Sequence, residues 1–250
     1  MDPESPSPGR MRRFLLEPGG DHLREEDLHH ALRVNRLQPG DRFLGLDGQG
    51  RAWPLRVTAV GRRDLAYERD GEPIEQAPPG QPGSPVGWLE VAVSLPKAVK
   101  WESMVDRLTQ LGVARLQPLF CRHSPPSATA WSPSRRGKLE RTVAEAMKQS
   151  GRLWPMEVAD PLELEPWWQA APEASALLHP GPGGLLGEAL ARNPGSLSRL
   201  AVGPEGGFAP EEAAGRRCLA LRGHILRTET AAELAAGLFL QTQTPPAGSH

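Results

Sequence analysis

The sequence predicts an α/β protein, a mainly parallel sheet covered by helices in the C-terminal part, preceded by a small N-terminal β-barrel. Three observations carry this. After residue 88, apolar runs alternate with helical patterns, which is how a parallel sheet with crossover helices reads. Before residue 75 the patterns are short and β-like and surround one hairpin signal, the signature of a small barrel. Between them, QAPPGQPGSPVG at 76–87 has the Pro/Gly-rich composition of a linker.

The expected elements follow in order. In 11–75, strands are expected at Phe14-Leu15-Leu16, at Arg42 to Leu46 and at Trp53 to Val60, with one helix near Glu25 to Val34. The turn Asp47-Gly48-Gln49-Gly50 joins two of the strands. In 88–243, strands are expected at 88–95, 114–120, 174–179, 198–203 and 218–226. Helices fall between them at 100–111, 133–150, 185–191 and 210–217, and a last helix runs from 230 to 241. Gly112 closes the first of these helices. Thr230 and Glu233 read as a capping box that starts the last one near residue 231. Residues 1–10, MDPESPSPGR, read as a disordered leader, with Met11 as an alternative start, and 244–250 as a tail.

Composition excludes several classes. The chain has 250 residues, is 38% hydrophobic and 24% charged, and carries a net charge of −1. No apolar run approaches a membrane span. The two cysteines, Cys121 and Cys218, are far apart and outside any CxxC pairing, so no disulfide framework or zinc site is expected, and a cytoplasmic location fits. The histidines lack ligand spacing, so no metal is expected. Near-neutral charge means that any nucleic-acid surface must be local. Residues 1–75 contain no lysine, so every full side-chain cation there is arginine, although acidic residues slightly outnumber them. That usage suits bidentate phosphate contacts and equally fits genomic base composition.

Three glycine-bearing loops fall at three expected strand ends: His179-Pro180-Gly181-Pro182-Gly183-Gly184, Gly203-Pro204-Glu205-Gly206-Gly207, and Arg222-Gly223-His224. Glycine lets backbone approach a ligand closely, and proline holds the loop stiff. Each alone reads as a turn; together they sit where open α/β sheets bind ligands, beyond the carboxyl ends of the strands. The first loop spaces its glycines as GxGxxxG, which fails the dinucleotide fingerprint, and no Gly-Lys-Ser/Thr phosphate loop occurs. Glu205 lies inside the second loop, where it could cap backbone N–H groups or take a proton. Glu211 and Glu212 suit the positive end of a helix. Arg227 falls in the turn before the last helix, beside Glu229, as an ion-pair member or as a charge directed at a substrate.

GPEGGF at 203–208 followed by ILRTETA at 225–231 resembles the signature of the small-subunit ribosomal RNA methyltransferase E (RsmE) family, uridine-N3 methyltransferases of the SPOUT superfamily. LPK at 95–97, QLGV at 110–113, RHS at 122–124, EAMKQSGR at 145–152, LHP at 178–180 and the opening MRRFLL are further similarities, which span Met11 to about Gln243. Two departures stand out. Lys148 occupies a position where the family often has an acid, and Leu221-Arg222-Gly223 places its arginine before the glycine. Ser124 to Pro133 is irregular and expected as a mobile loop over the RNA.

The resemblance implies a PUA-like barrel over 11–75 and a methyltransferase domain over 88–243 whose C-terminal segment is threaded into a deep trefoil knot, with the three loops as its crossings. It implies S-adenosylmethionine as cofactor, held by Leu178, His179, Gly203, Glu205, Gly206, Gly207, Leu221, Gly223, Ile225, Leu226 and Arg227. It implies methyl transfer to N3 of one uridine of 16S rRNA, presented free or in the small ribosomal subunit. Arg227 is then the candidate that stabilises the developing anion, and Glu205 a candidate proton acceptor. Arg12, Arg13, Arg33 and Arg36 become candidate RNA contacts, and a homodimer is expected, with the apolar helix at 234–240 as an interface or, alternatively, as plain core. Another SPOUT activity (ribose 2′-O or guanine N1 methylation) and a non-catalytic RNA-binding protein remain the alternatives.

Overall fold

A computed structural model describes residues 11–20, 22–94, 101–124, 131–181 and 183–242. The leader at 1–10, the LPK motif at 95–97, much of the 124–133 stretch and the tail at 244–250 lie outside the described residues. The chain divides into two compact units, residues up to Pro78 together with Met147–Pro155, and Pro79–Ala146 together with Met156 onward. Residues 147–155, which the sequence places inside the 88–243 span, thus belong with the first unit.

The first unit is a five-stranded sheet in the order β1-β2-β3-β4, made of β1 (Arg12–Leu15), β2 (Arg42–Leu46), β3 (Arg51–Val60) and β4 (Leu65–Arg69), with β5 (Ile74–Glu75) paired to β3. β1 and β2 run parallel, and the other pairs are antiparallel. The hairpin turn forms where Asp47-Gly48-Gln49-Gly50 predicts it. Asp47 Oδ1 accepts the N–H groups of Gln49 (2.6 Å) and Arg51 (3.0 Å), and Gly48 and Gly50 take positive φ. α1 (Glu25–His29) continues into a π-helical turn, His30–Val34. Phe14, Leu16, Ala31, Leu37, Phe43, Leu55 and Val57 form the core, where Phe43 meets Phe14 and Tyr67 edge-on at 5.5 and 5.4 Å. The EAMKQSGR motif is structural at this end: Lys148 Nζ lies 2.7 Å from the buried Asp27 Oδ1, and Arg13 Nη1 donates to the carbonyls of Lys148 (3.1 Å) and Gln149 (3.3 Å).

The second unit holds a sheet in the order β12-β10-β11-β6-β7-β8, with β9 also paired to β7. Its strands are β6 (Glu90–Ser94), β7 (Arg115–Phe120), β8 (Glu157–Val158), β9 (Leu162–Glu163), β10 (Ser175–Leu178), β11 (Arg199–Val202) and β12 (Cys218–Leu219). Every pair is parallel. β6, β10 and β11 are buried along their whole length, which is why consecutive apolar residues fill their middles and no alternation shows. The helices are α2 (Trp101–Leu111), α3 (Pro133–Ser150), whose last turn from Met147 belongs with the first unit, α4 (Leu164–Gln169), α5 (Leu186–Arg192), α6 (Pro210–Ala213) and α7 (Thr228–Thr242), and α7 packs on α2 and α5. Gly112, at φ 104, ends α2 as expected.

Three boundaries differ from the sequence expectation. α6 is a single turn, and β12 stops at Leu219 rather than at Leu226. Ala220 still bridges Leu185, and residues 221–226 are loop, because Arg222-Gly223-His224 breaks the apolar run. α7 begins at Thr228, before the expected Thr230–Glu233 box. Its first helical bond runs from Ala231 N to Arg227 O (2.8 Å), the Thr228 hydroxyl donates to Gly203 O (3.1 Å), and Glu233 pairs with Arg107 of α2 (2.8 Å) instead of reaching back. α4, which buries Trp167 and Trp168, has no counterpart among the expected elements.

Candidate active site

The site is set by register. Leu178 lies opposite Val202 on one side and Leu219 on the other. β10, β11 and β12 therefore run out at one level, and the three loops leave the same carboxyl edge side by side. Between them lies a cavity of about 310 Å³, the size class of small-molecule sites.

Most of the residues singled out from the sequence line it. Leu178 ends β10 and His179 opens the first loop; Gly203, Glu205, Gly206 and Gly207 come from the second; Leu221, Ile225 and Leu226 from the third. Gly223 and Arg227 belong to the third loop and its junction with α7 but are not among the lining residues. Pro180, Val202, Pro204, His224, Thr228 and Ala231 also line the cavity and were not singled out. Thr228 was legible in principle as a hydroxyl one residue after Arg227, but the misplaced helix start hid it.

The lining combines apolar side chains with bare backbone. Leu178, Val202, Leu226 and Ala231 offer apolar surface, and the glycine loop offers bare backbone. A Cβ on Gly203 would come within 3.2 Å of the Phe208 ring, and Gly207 takes a φ of 71°. The Nδ1 of His179 is buried and, among the described residues, has no hydrogen-bond partner, although its ring packs beside Phe208 at 6.4 Å. A buried polar atom left in this state wants a ligand or water. Glu205, His224 and Arg227 are all exposed, and Ile225 is 92% exposed at the rim. Among the described residues no group of His, Cys, Asp and Glu could hold a metal ion, and no helix is long and apolar enough to cross a membrane.

The turn after β7, Cys121 to Ser124, is fastened against the second loop. Glu212 accepts from Arg122 N and from Ala209 N, both at 2.8 Å, so one carboxylate ties the turn to the start of α6. Arg122 also pairs with Glu211 (3.2 Å), and His123 Nδ1 lies 3.1 Å from Gly207 O. The RHS motif is thus tied to the second loop and to α6, and Glu212 does more than meet a helix dipole.

In the first unit, Arg12, Arg33 and Arg36 are exposed, whereas Arg13 is half-buried and engaged on the end of α3.

Fold and site together define a methyltransferase that acts on RNA. Residues 82–240 match the family model for the RNA methyltransferase domain, and residues 23–66 that for the RNA methyltransferase PUA domain. The chain is 34% identical over 231 residues to ribosomal RNA small subunit methyltransferase E of Synechocystis sp., covering 85% of this chain and 70% of that protein. It is 29% identical to the protein of the same name from Aquifex aeolicus, covering 84% and 89%. Two solved structures share the fold at TM-score 0.72: a Legionella pneumophila methyltransferase with bound SAM (22% identity, 92% of this chain and 97% of that one) and ribosomal RNA small subunit methyltransferase E of Neisseria gonorrhoeae bound to S-adenosyl methionine (23%, 91% and 96%). The chain belongs to the ribosomal RNA small subunit methyltransferase E family.

Proposed function

We propose that this chain transfers the methyl group of S-adenosylmethionine to N3 of a uridine in the RNA of the small ribosomal subunit. The observation that carries the reading is the convergence of three glycine-bearing loops, from three adjacent parallel strands, on one cavity in a chain of this family. The cofactor supplies an electrophilic methyl on a sulfonium. The chain's part is to hold the nucleoside against bare backbone and apolar side chains, with the cavity-lining residues of the three loops as its contacts and the buried His179 Nδ1 as one polar partner. The threading of the C-terminal segment into a knot belongs to the same reading.

Uracil N3 normally carries a proton. As it leaves, charge spreads onto the two flanking carbonyl oxygens, so a cation brought near them lowers the barrier. Arg227 is exposed and, among the described residues, has no ion-pair partner; it takes this role. Arg12, Arg33 and Arg36 are available as phosphate contacts, and a homodimer in the cytoplasm completes the reading, supported by the exposed apolar Ile225 and Leu234.

The test is mass mapping of small-subunit rRNA from a deletion strain and from the same strain complemented. The expected result is loss and return of one methyl on uridine N3. A missing methyl on a ribose 2′-oxygen or on guanine N1 would overturn the base assignment, and an unchanged rRNA would favour a binding protein without catalysis.

A further inference from the structure

Methylation at N3 needs a group to take the N3 proton, and three exposed candidates stand at or beside the site: Glu205 and His224 on the cavity lining, and His123 against the second loop. Among the described residues no hydrogen bond holds the side chain of Glu205 or His224. His123 differs. Its turn is closed by Ser124 N to Cys121 O and by Cys121 N to Ser124 Oγ, both 2.9 Å, and Ser124 Oγ meets Ser94 Oγ of β6 at 2.9 Å. Its ring is fixed by the 3.1 Å contact of Nδ1 with Gly207 O. A carbonyl oxygen can only accept, so Nδ1 carries the proton, and the neutral ring keeps its lone pair on Nε2. His123 also packs on the loop that lines the cavity, because a Cβ on Gly206 would come 3.3 Å from the His123 Cβ.

We propose that His123 is the general base of the reaction, a reading that rests on the function proposed above. Nε2 takes the N3 proton, the N3 electron pair forms the bond to the methyl carbon, and the carbon–sulfur bond breaks with its pair left on sulfur. The neutral uracil, the sulfonium and the neutral imidazole become N3-methyluracil, a thioether and an imidazolium, which returns its proton to solvent. An imidazole is the side chain whose ordinary titration lies nearest neutrality, which suits this task. The charged groups around it are Arg122 on its own turn, Glu205 on the second loop, and Glu211 and Glu212 on α6. Arg122 is paired with Glu211, and Glu212 is held by two backbone N–H groups.

The experiment compares the wild-type protein with His123→Gln and Glu205→Gln, using S-adenosylmethionine and small ribosomal subunits from a strain lacking the methyl. The glutamine amide can still donate to Gly207 O but cannot titrate. His123→Gln is expected to lower kcat by about a hundredfold or more, to flatten the fall in rate on acidification, and to leave calorimetric cofactor affinity and KM within a fewfold. Turnover within threefold of wild type with an unchanged pH profile overturns the assignment. So does loss of cofactor binding in His123→Gln, which would make His123 a prop for the loop, or transfer of the pH effect to Glu205→Gln. A wild-type protein that marks ribose or guanine overturns the function and the base together; N3 methylation by both wild type and His123→Gln at equal rates overturns the base alone.

Discussion

Arg199 of β11 and Glu90 of β6 sit opposite each other in the parallel register, with Arg199 Nε 3.0 Å from Glu90 Oε1. The two side chains are only 10% and 5% exposed. Trp167 Nε1 donates to the same oxygen, the Arg199 guanidinium stacks over the Trp167 ring at 4.3 Å, and Arg115 approaches the other oxygen at 3.5 Å. This network lies at the amino end of the sheet, away from the three loops. Removing one partner of such a pair leaves a charge buried without compensation, which costs about 3–5 kcal/mol. Glu90→Gln is therefore expected to lower the unfolding free energy from urea melts by that amount, while the double replacement Glu90→Leu with Arg199→Met recovers most of it. A single variant that unfolds within about 1 kcal/mol of wild type, less than a neutral buried hydrogen bond can cost, would show that the pair is not acting as a buried ion pair.

Cys121 closes β7 beneath the His123 turn, and burial, with the Glu212 carboxylate second, pushes its thiol up to about 12. The charged form is the thiolate, so the unfolded chain loses its proton first as pH rises. The contribution to stability is complete below the ordinary thiol range and is lost between that range and about pH 12, by at most about 1.4 kcal/mol per pH unit. Cys218, half-buried, is raised by burial but opposed by Arg216. In mildly alkaline buffer, iodoacetamide should label Cys218 in the native protein first, and Cys121 only as fast as the chain opens. Mass spectrometry that finds Cys121 labelled ahead of Cys218 would contradict its burial.

Two glycines of the first loop and α5 separate packing from propensity. A Cβ on Gly183 would lie 2.0 Å from the backbone oxygen of Cys218, whereas one on Gly187 meets nothing within 4 Å. Gly183→Ala must push β12 and the third loop away from β10. It should lower Tm and weaken calorimetric S-adenosylmethionine affinity tenfold or more. Gly187→Ala lies inside α5 and should raise stability by about 0.5–1 kcal/mol. A Gly183→Ala protein that melts and binds like wild type would rule out this close approach.

The sequence revealed the sheet because β6, β7, β10 and β11 are buried with mostly apolar middles, a signal that needs no partner to read. It revealed the loops because glycine and proline mark them locally. What it hid is tertiary. The Thr230–Glu233 box failed because Glu233 finds Arg107 on a distant helix and Thr228 finds Gly203 O. The strand order, with β6 between β11 and β7, places the RHS turn near the second loop, and the bond from His123 to Gly207 spans 84 residues of chain. Lys148 looked like a departure from the family pattern; its buried partner Asp27 explains it as half of an ion pair, which no local window could show.

Arg227 is the residue on which the proposed chemistry and a structural role make opposite predictions. Next to Glu229 in sequence, it could have been an ion-pair member, yet among the described residues it has no such partner and it is exposed. Its backbone, not its side chain, starts α7, through the carbonyl that accepts from Ala231 N. Arg227→Ala should therefore leave the melting temperature nearly unchanged, as surface replacements away from such contacts cost within about 0.5 kcal/mol. If its guanidinium meets the charge that develops on the uracil oxygens, the same variant should lose a factor of about 10²–10³ in kcat. Cofactor affinity should change far less. Arg227→Lys keeps a point charge without the planar fork and should fall between the two. Single-turnover rates on small ribosomal subunits, set beside melting curves, separate the cases. Turnover of Arg227→Ala within a fewfold of wild type would remove it from the chemistry, and a large drop in melting temperature would mark it as structural instead.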